Sequence, residues 1–130
     1  MLKIYTASRF TKGNIWLQIL KDKEFKHVFN ARWLRHFEIG TKETPERAQV
    51  FWVENIEDIA DADMVLYYAE EDDLMGGALI EVGAALAFGK PVMVVGNNRS
   101  HRSWVYHPLV RQCESLDEAM EIINGEDGED

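Results

Sequence analysis

GGALIEVGAALAFGKP, residues 76–91, predicts a helix of small and apolar side chains that ends at Gly89, with Pro91 beyond it. Between Asp73 and Lys90 the only ionisable side chain is Glu81. An isolated carboxylate is costly to bury, and those that persist in proteins tend to lie in clefts with shifted protonation. Glu81 is therefore either a functional group in a cleft or a residue that points outward from a half-exposed helix.

Two short apolar runs flank this helix and have the composition of strands buried on both faces. They are MVLYY at residues 64–68 and VMVV at residues 92–95. Apolar strands that alternate with amphipathic helices predict an open, parallel α/β sheet.

The remaining segments continue this alternation. Thr44 and Pro45 are typical of a helix N-cap and first position, and the helical spacing of apolar residues continues to Ala60. The other predicted elements are a strand at 2–7, a helix at 12–23, an extended segment at 27–34, a strand at 109–113 and a helix at 115–123 opened by a capping box.

Length and composition indicate one globular domain. The chain has 130 residues, 46% of them hydrophobic, a net charge of −9 and one cysteine, Cys113. The negative charge argues against nucleic acid polymers as partners, and a single cysteine excludes an internal disulfide. We expect a domain at residues 1–124 and a disordered acidic tail, GEDGED, at 125–130. We also expect no signal peptide, no membrane partner and, by default, a cytoplasmic location.

Residues suited to ligand binding or catalysis follow the predicted strands, at the edge where parallel α/β sheets bind ligands. Ser8 and Arg9 follow the first strand and either receive a phosphate or lie free on the surface. Gly76 and Gly77 allow a ligand to approach the backbone closely, or simply form a tight turn. Tyr5 is either a core residue or a group that orients a carboxylate.

Acidic and aromatic side chains near these loops leave further alternatives open. Asp72 and Asp73 are either solvated or form a carboxylate pair with Glu81, an arrangement that suits a double displacement at a glycosidic carbon. The aromatic and histidine residues either stack on a base or fill a subunit interface; they are Trp33, Trp104, Tyr106 and His107. The spacing of the histidines indicates no metal site.

Three segments resemble the nucleoside 2-deoxyribosyltransferase family and its nucleotide N-glycosidase relatives. They are IYTASRF at 4–10, ADMVLYY at 62–68 and, most specifically, GGALIEVGAALAFGKPV at 76–92. The resemblance continues in order to SLDEA at 115–119, and so covers most of the chain. It implies a flavodoxin-like, doubly wound parallel sheet and cleavage of the N-glycosidic bond of a nucleoside or nucleotide.

The resemblance also implies roles for particular residues. Glu81 corresponds to the glutamate that forms a covalent glycosyl ester, and Tyr5 to the tyrosine that orients it. Asp73 is the expected assisting carboxylate, and no cofactor is expected. The predicted substrate-binding residues are Ser8, Arg9, Trp33, Asn55, Asp72, Gly76 and Gly77.

Two positions depart from the family pattern. Asn55 stands where members commonly carry an aspartate, and Met75 stands six residues before Glu81, where Asp or Ser is frequent. Both departures concern the proton donor. We therefore predict an enzyme that cleaves or transfers at an N-glycosidic bond, as a homodimer or higher homo-oligomer; the alternative is a catalytically silent nucleotide-binding module of the same fold.

Overall fold

Hydrophobic strands form the centre of the molecule. The computed structural model describes residues 1–128, in which five strands make one all-parallel sheet in the order β2-β1-β3-β4-β5. The central strand is β3, whose first four residues are apolar and buried because its neighbours β1 and β4 flank it and helices cover the sheet. The strands are β1 (Lys3–Ala7), β2 (Val28–Phe29), β3 (Met64–Tyr68), β4 (Val92–Val95) and β5 (Val110–Cys113).

Helices connect the strands. In the described residues they are α1 (Gly13–Leu20), α2 (Trp33–Ile39), α3 (Pro45–Asp61), α4 (Gly77–Ala87) and α5 (Leu116–Gly128), with 3-10 turns at Phe10–Lys12 and Ser103–Tyr106. α3 and α4 pack against each other and against β1, whereas α5 packs against β4 and β5. This arrangement confirms the flavodoxin-like α/β fold.

Local sequence signals account for the elements that were predicted well. The bounds of β3 and β4 agree with the predicted runs. α3 starts as expected, because the Thr44 hydroxyl oxygen accepts a hydrogen bond from the Arg47 amide at 3.2 Å and Pro45 occupies the first turn. α4 ends before Gly89, which has a φ of +73°.

Two predicted segments differ from the structure. The extended segment at 27–34 is wrong for most of its length: β2 covers only Val28–Phe29, and α2 starts at Trp33. The helix predicted at 12–23 is shorter, because a 3-10 turn precedes α1 and α1 ends at Leu20. At the starts of α1 and α2 no side chain caps the helix, so the sequence carries no start signal there.

The C-terminal end of the chain is helical as far as it is described. α5 runs to Gly128 and therefore overlaps the start of the segment expected to be a disordered tail, while Glu129 and Asp130 lie outside the described residues. The two-part division of the chain stays a prediction. Over residues 1–128, none of the helices has both the length and the apolar character that a membrane span requires.

The strand order fixes where a ligand can bind. The chain moves outward in one direction from β1 to β2, and in the other direction from β3 to β5. At the carboxyl ends of β1 and β3 the connections therefore diverge to opposite sides and leave a crevice, which is the usual ligand position in doubly wound sheets. Tyr5 lies in β1 opposite Val65 of β3, directly below this crevice.

Candidate active site at the carboxyl ends of β1 and β3

Glu81 lies on the inward side of α4 and is buried. Its side chain is 5% exposed, and Tyr5 beneath it is completely buried. The Tyr5 hydroxyl donates a hydrogen bond to Glu81 Oε2, which joins the first strand to the fourth helix. The structure thus excludes the outward-pointing alternative for Glu81.

Burial changes the protonation of both partners. It raises the pKa of Glu81 to about 7, although the hydrogen bond from Tyr5 opposes this shift by stabilising the carboxylate. The pKa of Tyr5 is raised, first by burial and then by the negative charge of Glu81, so the tyrosine stays a hydrogen-bond donor. Both the protonated and the ionised form of Glu81 are therefore populated near neutral pH, as expected for a reactive group in a cleft.

A cavity of about 500 Å³ opens above Glu81. α4 and the glycine turn before it form the floor, and residues of α2 and α3 form the opposite wall. Gly77 begins α4 where a side chain would meet the Trp52 ring, since a Cβ there would lie 3.2 Å from it. A cavity of this size is sufficient for a small organic ligand of nucleotide dimensions.

Aromatic rings make up much of the cavity wall. Phe10, Trp33, Phe51 and Trp52 all line it. Phe10 contacts Trp33 with ring centroids 5.8 Å apart, and Trp33 is fixed because its indole nitrogen donates to the Thr6 carbonyl at 2.8 Å. Such a lining favours a flat, partly polar ligand such as a nucleobase.

Arg9 provides positive charge at the mouth of the cavity. It follows β1, lines the cavity and is partly exposed. Ser8 beside it also lines the cavity, but its hydroxyl already donates to the Arg9 carbonyl and accepts from the Trp16 indole nitrogen at 2.9 Å. Arg9 is therefore the better candidate for binding an anionic group.

Asp73 and Asp72 do not line the cavity of Glu81. Asp73 is buried in a cluster of charges, with Oδ1 3.6 Å from Arg9 Nη1 and 3.8 Å from Lys12 Nζ, and Oδ2 accepts from the Glu70 amide at 2.9 Å. Asp72 is exposed. The structure thus places Asp73 where it restrains Arg9, and it does not bring the expected carboxylate pair together around the ligand space.

Most of the other predicted site residues line the cavity above Glu81. Asn55 of α3 lines the cavity, and its Oδ1 is buried with no hydrogen-bond partner among the described residues. The predicted residues that line the cavity are Ser8, Arg9, Trp33, Asn55, Gly76, Gly77 and Glu81.

Sequence reasoning missed three lining residues on α2 and α3. His36, Phe51 and Trp52 belong to α2 and α3, and the last two stand at positions that helical spacing assigns to a core face. Periodicity identifies the face that turns inward, but it does not distinguish a packed core from a cavity wall. Of the aromatic residues with open roles, Trp33 is at the cavity, whereas Trp104 lies at a second depression on the outer side of α4.

The described side chains form no cluster suited to a metal ion. Among the side chains that the structure describes, residues 1–125, no three from His, Cys, Asp or Glu lie close enough together to hold a metal ion.

Together, the 2-1-3-4-5 sheet and the buried acid at its switch point define a flavodoxin-like α/β protein with a small-molecule site. The sequence matches the nucleoside 2-deoxyribosyltransferase family over residues 4–122, and the chain belongs to this family. No match was found among curated protein sequences.

Solved structures agree with this assignment at the level of the fold. A 2-deoxyribosyltransferase from Bacillus psychrosaccharolyticus superposes with a TM-score of 0.65 at 23% identity, over 91% of this chain and 90% of that chain. The CMP N-glycosidase BcmB of Clostridium botulinum superposes with a TM-score of 0.57 at 14% identity, over 95% and 98% of the two chains. The family and these neighbours act at the N-glycosidic bond of nucleosides or nucleotides.

Replacing Glu81 tests its burial independently of activity. Because its pKa rises from 4.5 to about 7 on folding, the wild-type protein should lose about 3 kcal/mol of stability as pH rises from below 4.5 to above 7. Glu81→Gln is neutral at every pH and keeps a partner for Tyr5, so this loss should disappear. Urea unfolding at pH 4.5, 7 and 8.5 measures it.

The exposed Glu57 supplies the control for this experiment, since Glu57→Gln removes a carboxylate from α3 without reaching the cavity. It should keep the pH dependence of the wild type. Parallel stability curves for the wild type and Glu81→Gln would contradict a raised pKa at Glu81.

Proposed function

We propose that this protein cleaves or transfers at the N-glycosidic bond of a nucleoside or nucleoside 5′-monophosphate through a covalent ester with Glu81. The observation that carries the proposal is the buried Glu81 carboxyl, held by Tyr5 at the floor of an aromatic-lined cavity. Membership of the family supplies the reaction class.

The proposed reaction begins with attack of Glu81 on the anomeric carbon. Its carboxylate oxygen forms a bond to C1′ while the C1′–N bond breaks and the electron pair leaves with the base. Tyr5 keeps one carboxylate oxygen hydrogen-bonded, so the other oxygen is free to attack. Water or a second base then attacks C1′, which releases Glu81 and determines whether the outcome is hydrolysis or transfer.

The cavity wall supports the binding of a nucleobase. The four aromatic rings supply flat apolar surface, and Asn55 supplies an amide whose oxygen has no partner among the described side chains of residues 1–125. A catalytically silent module would bind the same ligand. Family membership and the position of Glu81 below the cavity support the enzyme, and a raised pKa in a cleft is typical of a reactive carboxyl group.

The first test is release of base from a panel of deoxynucleosides, ribonucleosides and their 5′-monophosphates, with and without a second free base. At least one substrate should release base, and Glu81→Gln should lower kcat by about 10³-fold or more because the nucleophile is gone. Activity should increase with pH through about 7 as the carboxyl ionises.

A covalent ester should also be detected by mass spectrometry of the wild type quenched during turnover, and should be absent from Glu81→Gln. Appearance of a new nucleoside with added base would identify a transferase. Binding of nucleotides without release of base from any substrate would identify the silent module instead.

We further propose that Arg9 binds the phosphate of a 5′-monophosphate. Its guanidinium is the fixed positive charge on the cavity lining, and Asp73 restrains it at the mouth. Arg9→Gln should raise KM for monophosphates by about 10- to 100-fold, the range of a lost charged hydrogen bond, and leave KM for unphosphorylated nucleosides nearly unchanged.

Arg111→Gln is the matched control, because Arg111 is exposed on β5 and lines neither the Glu81 cavity nor the second depression. An equal rise of KM for both substrate classes in Arg9→Gln would contradict a specific role in phosphate binding.

We also propose that the protein forms a homodimer through the outer face of α4. Ile80 is 61% exposed there, and the following turn carries Gly83, beside which a helix can approach closely. A depression of about 670 Å³ lined by Leu79 and Leu86 continues this apolar surface.

Ile80→Asp should therefore convert a dimer into a monomer in sedimentation velocity experiments, because it places a charge in the interface. Val50→Asp, an equivalent change at an exposed apolar residue of α3, should leave the dimer intact. A monomeric wild type at micromolar concentration would refute the proposal.

A further inference from the structure

The loop between β3 and α4, residues 69–76, forms one side of the Glu81 cavity. Leu74, Met75 and Gly76 line the cavity directly, and Asp73 Oδ1 lies 3.6 Å from Nη1 of Arg9. Arg9 is the residue proposed above to bind the phosphate of a 5′-monophosphate. The position of its guanidinium therefore depends on where this loop holds the carboxylate of Asp73.

The loop has little internal support. Residues 70–72 are exposed, and Leu74 is 79% exposed. Inside the loop, the Asp73 amide donates to the Glu70 carbonyl at 3.1 Å, and Asp73 Oδ2 accepts from the Glu70 amide at 2.9 Å. Exposed segments with few buried contacts open readily, so contacts from other elements determine how firmly Asp73 is held.

Asn98, which follows β4, makes such contacts with the backbone of the loop. Its Nδ2 donates to the carbonyl oxygens of Glu70 and Asp73, the second at 2.9 Å, and lies 3.4 Å from the carbonyl oxygen of Glu71. A side-chain amide nitrogen carries two hydrogens, so these carbonyls use its full capacity as a donor. Asn98 thus binds both ends of the turn that carries Asp73.

The orientation of Asn98 is fixed by the chain around it. The Ser100 amide donates to Asn98 Oδ1 at 2.9 Å, and this leaves Nδ2 facing the carbonyls of the loop. Gly96 brings the chain close to the end of β3, because its φ is +105° and a Cβ there would clash with the Ala69 carbonyl oxygen. The end of β4 is therefore built to deliver the Asn98 amide to this loop.

Asn98 has no direct access to the ligand space. It is 3% exposed, and it lines the second depression and not the Glu81 cavity. A buried amide is costly unless it is hydrogen-bonded, and the partners of Nδ2 are the carbonyls of this one loop. Any influence of Asn98 on a bound ligand must therefore pass through the loop.

We propose that Asn98 is a positioning residue for phosphate binding: it fixes the β3–α4 loop, so that Asp73 holds Arg9 at the mouth of the cavity. This rests on the function proposed above and on the role of Arg9 in it. Asn98 contacts neither the substrate nor Glu81, so its effect falls on binding of the phosphate and not on the chemical step.

Asn98→Ala removes the donors and leaves Arg9, Asp73 and Glu81 in place. It should raise KM for the best 5′-monophosphate of the panel by about 3- to 10-fold, the range of one lost hydrogen bond, with kcat and the KM of the corresponding nucleoside changed by less than about 2-fold. KM does not depend on how much of a variant is folded, so a partial loss of stability does not imitate this result. Asn98→Ser, which keeps one short donor, is the second variant and should change KM in the same direction.

Asn97→Ala is the matched control, because Asn97 is exposed and lines neither the Glu81 cavity nor the second depression. It should keep the KM values of the wild type for both substrates. An equal rise for nucleoside and monophosphate in the Asn98 variants would reduce Asn98 to a general structural role, and no rise for either would equally overturn the proposal.

The Arg9→Gln protein tests the route of the effect. When Arg9 is absent, Asn98→Ala should no longer raise KM for the monophosphate, because the two substitutions act on the same interaction. A rise that persists without Arg9 would contradict the proposed route.

Calorimetry separates this proposal from the proposed reaction. Glu81→Gln proteins with and without Asn98→Ala allow Kd to be compared for a 5′-monophosphate and its nucleoside without turnover. A selective rise of Kd for the monophosphate would support Asn98 even if the wild type released no base, an outcome that would refute only the reaction. Equal Kd values in the two proteins would refute the role of Asn98 whatever the activity of the wild type.

Discussion

The hydrogen bond from Tyr5 to Glu81 connects the architecture of the fold to its chemistry. It joins β1, next to the centre of the sheet, to α4, the helix that follows β3. No ion pair to Glu81 is found among the described side chains of residues 1–125, and the neutral Tyr5 hydroxyl is what offsets the burial of this carboxyl. A cationic partner would lower the pKa of Glu81 and stabilise its ground state, whereas a hydroxyl leaves it available near neutral pH.

Charged side chains beside the cavity pair with one another. Asp73 contacts Arg9 and Lys12, and Lys12 also contacts Glu70. The hydrogen bond from Tyr68, followed by the contact with Lys12, lowers the pKa of Glu70. Asn98, which follows β4, donates to the carbonyl oxygens of Glu70 and Asp73 and so holds the same loop from the other side. The loop therefore positions Arg9 and the glycine turn while its own carboxylates stay out of the ligand space.

The parts of the fold that could be predicted are those with a local physical signal. β3 and β4 were predicted to the residue because continuous apolar runs have few alternatives in a parallel sheet. α2 was not predicted, because its N-cap is Arg32, whose side chain makes no capping hydrogen bond. Instead, Arg32 pairs with Asp58 at 2.9 Å, a contact between residues 26 positions apart.

The residues of the candidate site also differ in whether the sequence alone identifies them. Glu81 was identifiable because it is the single charge in an apolar helix, and Tyr5 because the resemblance pointed to it. The placement of Asp73 depends on Arg9 and Lys12, which come from a different loop, and the sequence spacing between Asp73 and Glu81 carried no information about them. His36 was not predicted, since one histidine in a helix has no motif and acquires its environment only when α3 packs beside it.

The absence of an aspartate at position 55 has an electrostatic consequence for the whole site. A carboxylate at position 55 would disfavour ionisation of Glu81, whose pKa burial has already raised to about 7. Asn55 instead brings an amide to the cavity wall and adds no charge there. The ionised form of the proposed nucleophile is therefore stabilised by the Tyr5 hydroxyl and is not opposed by a charge from position 55.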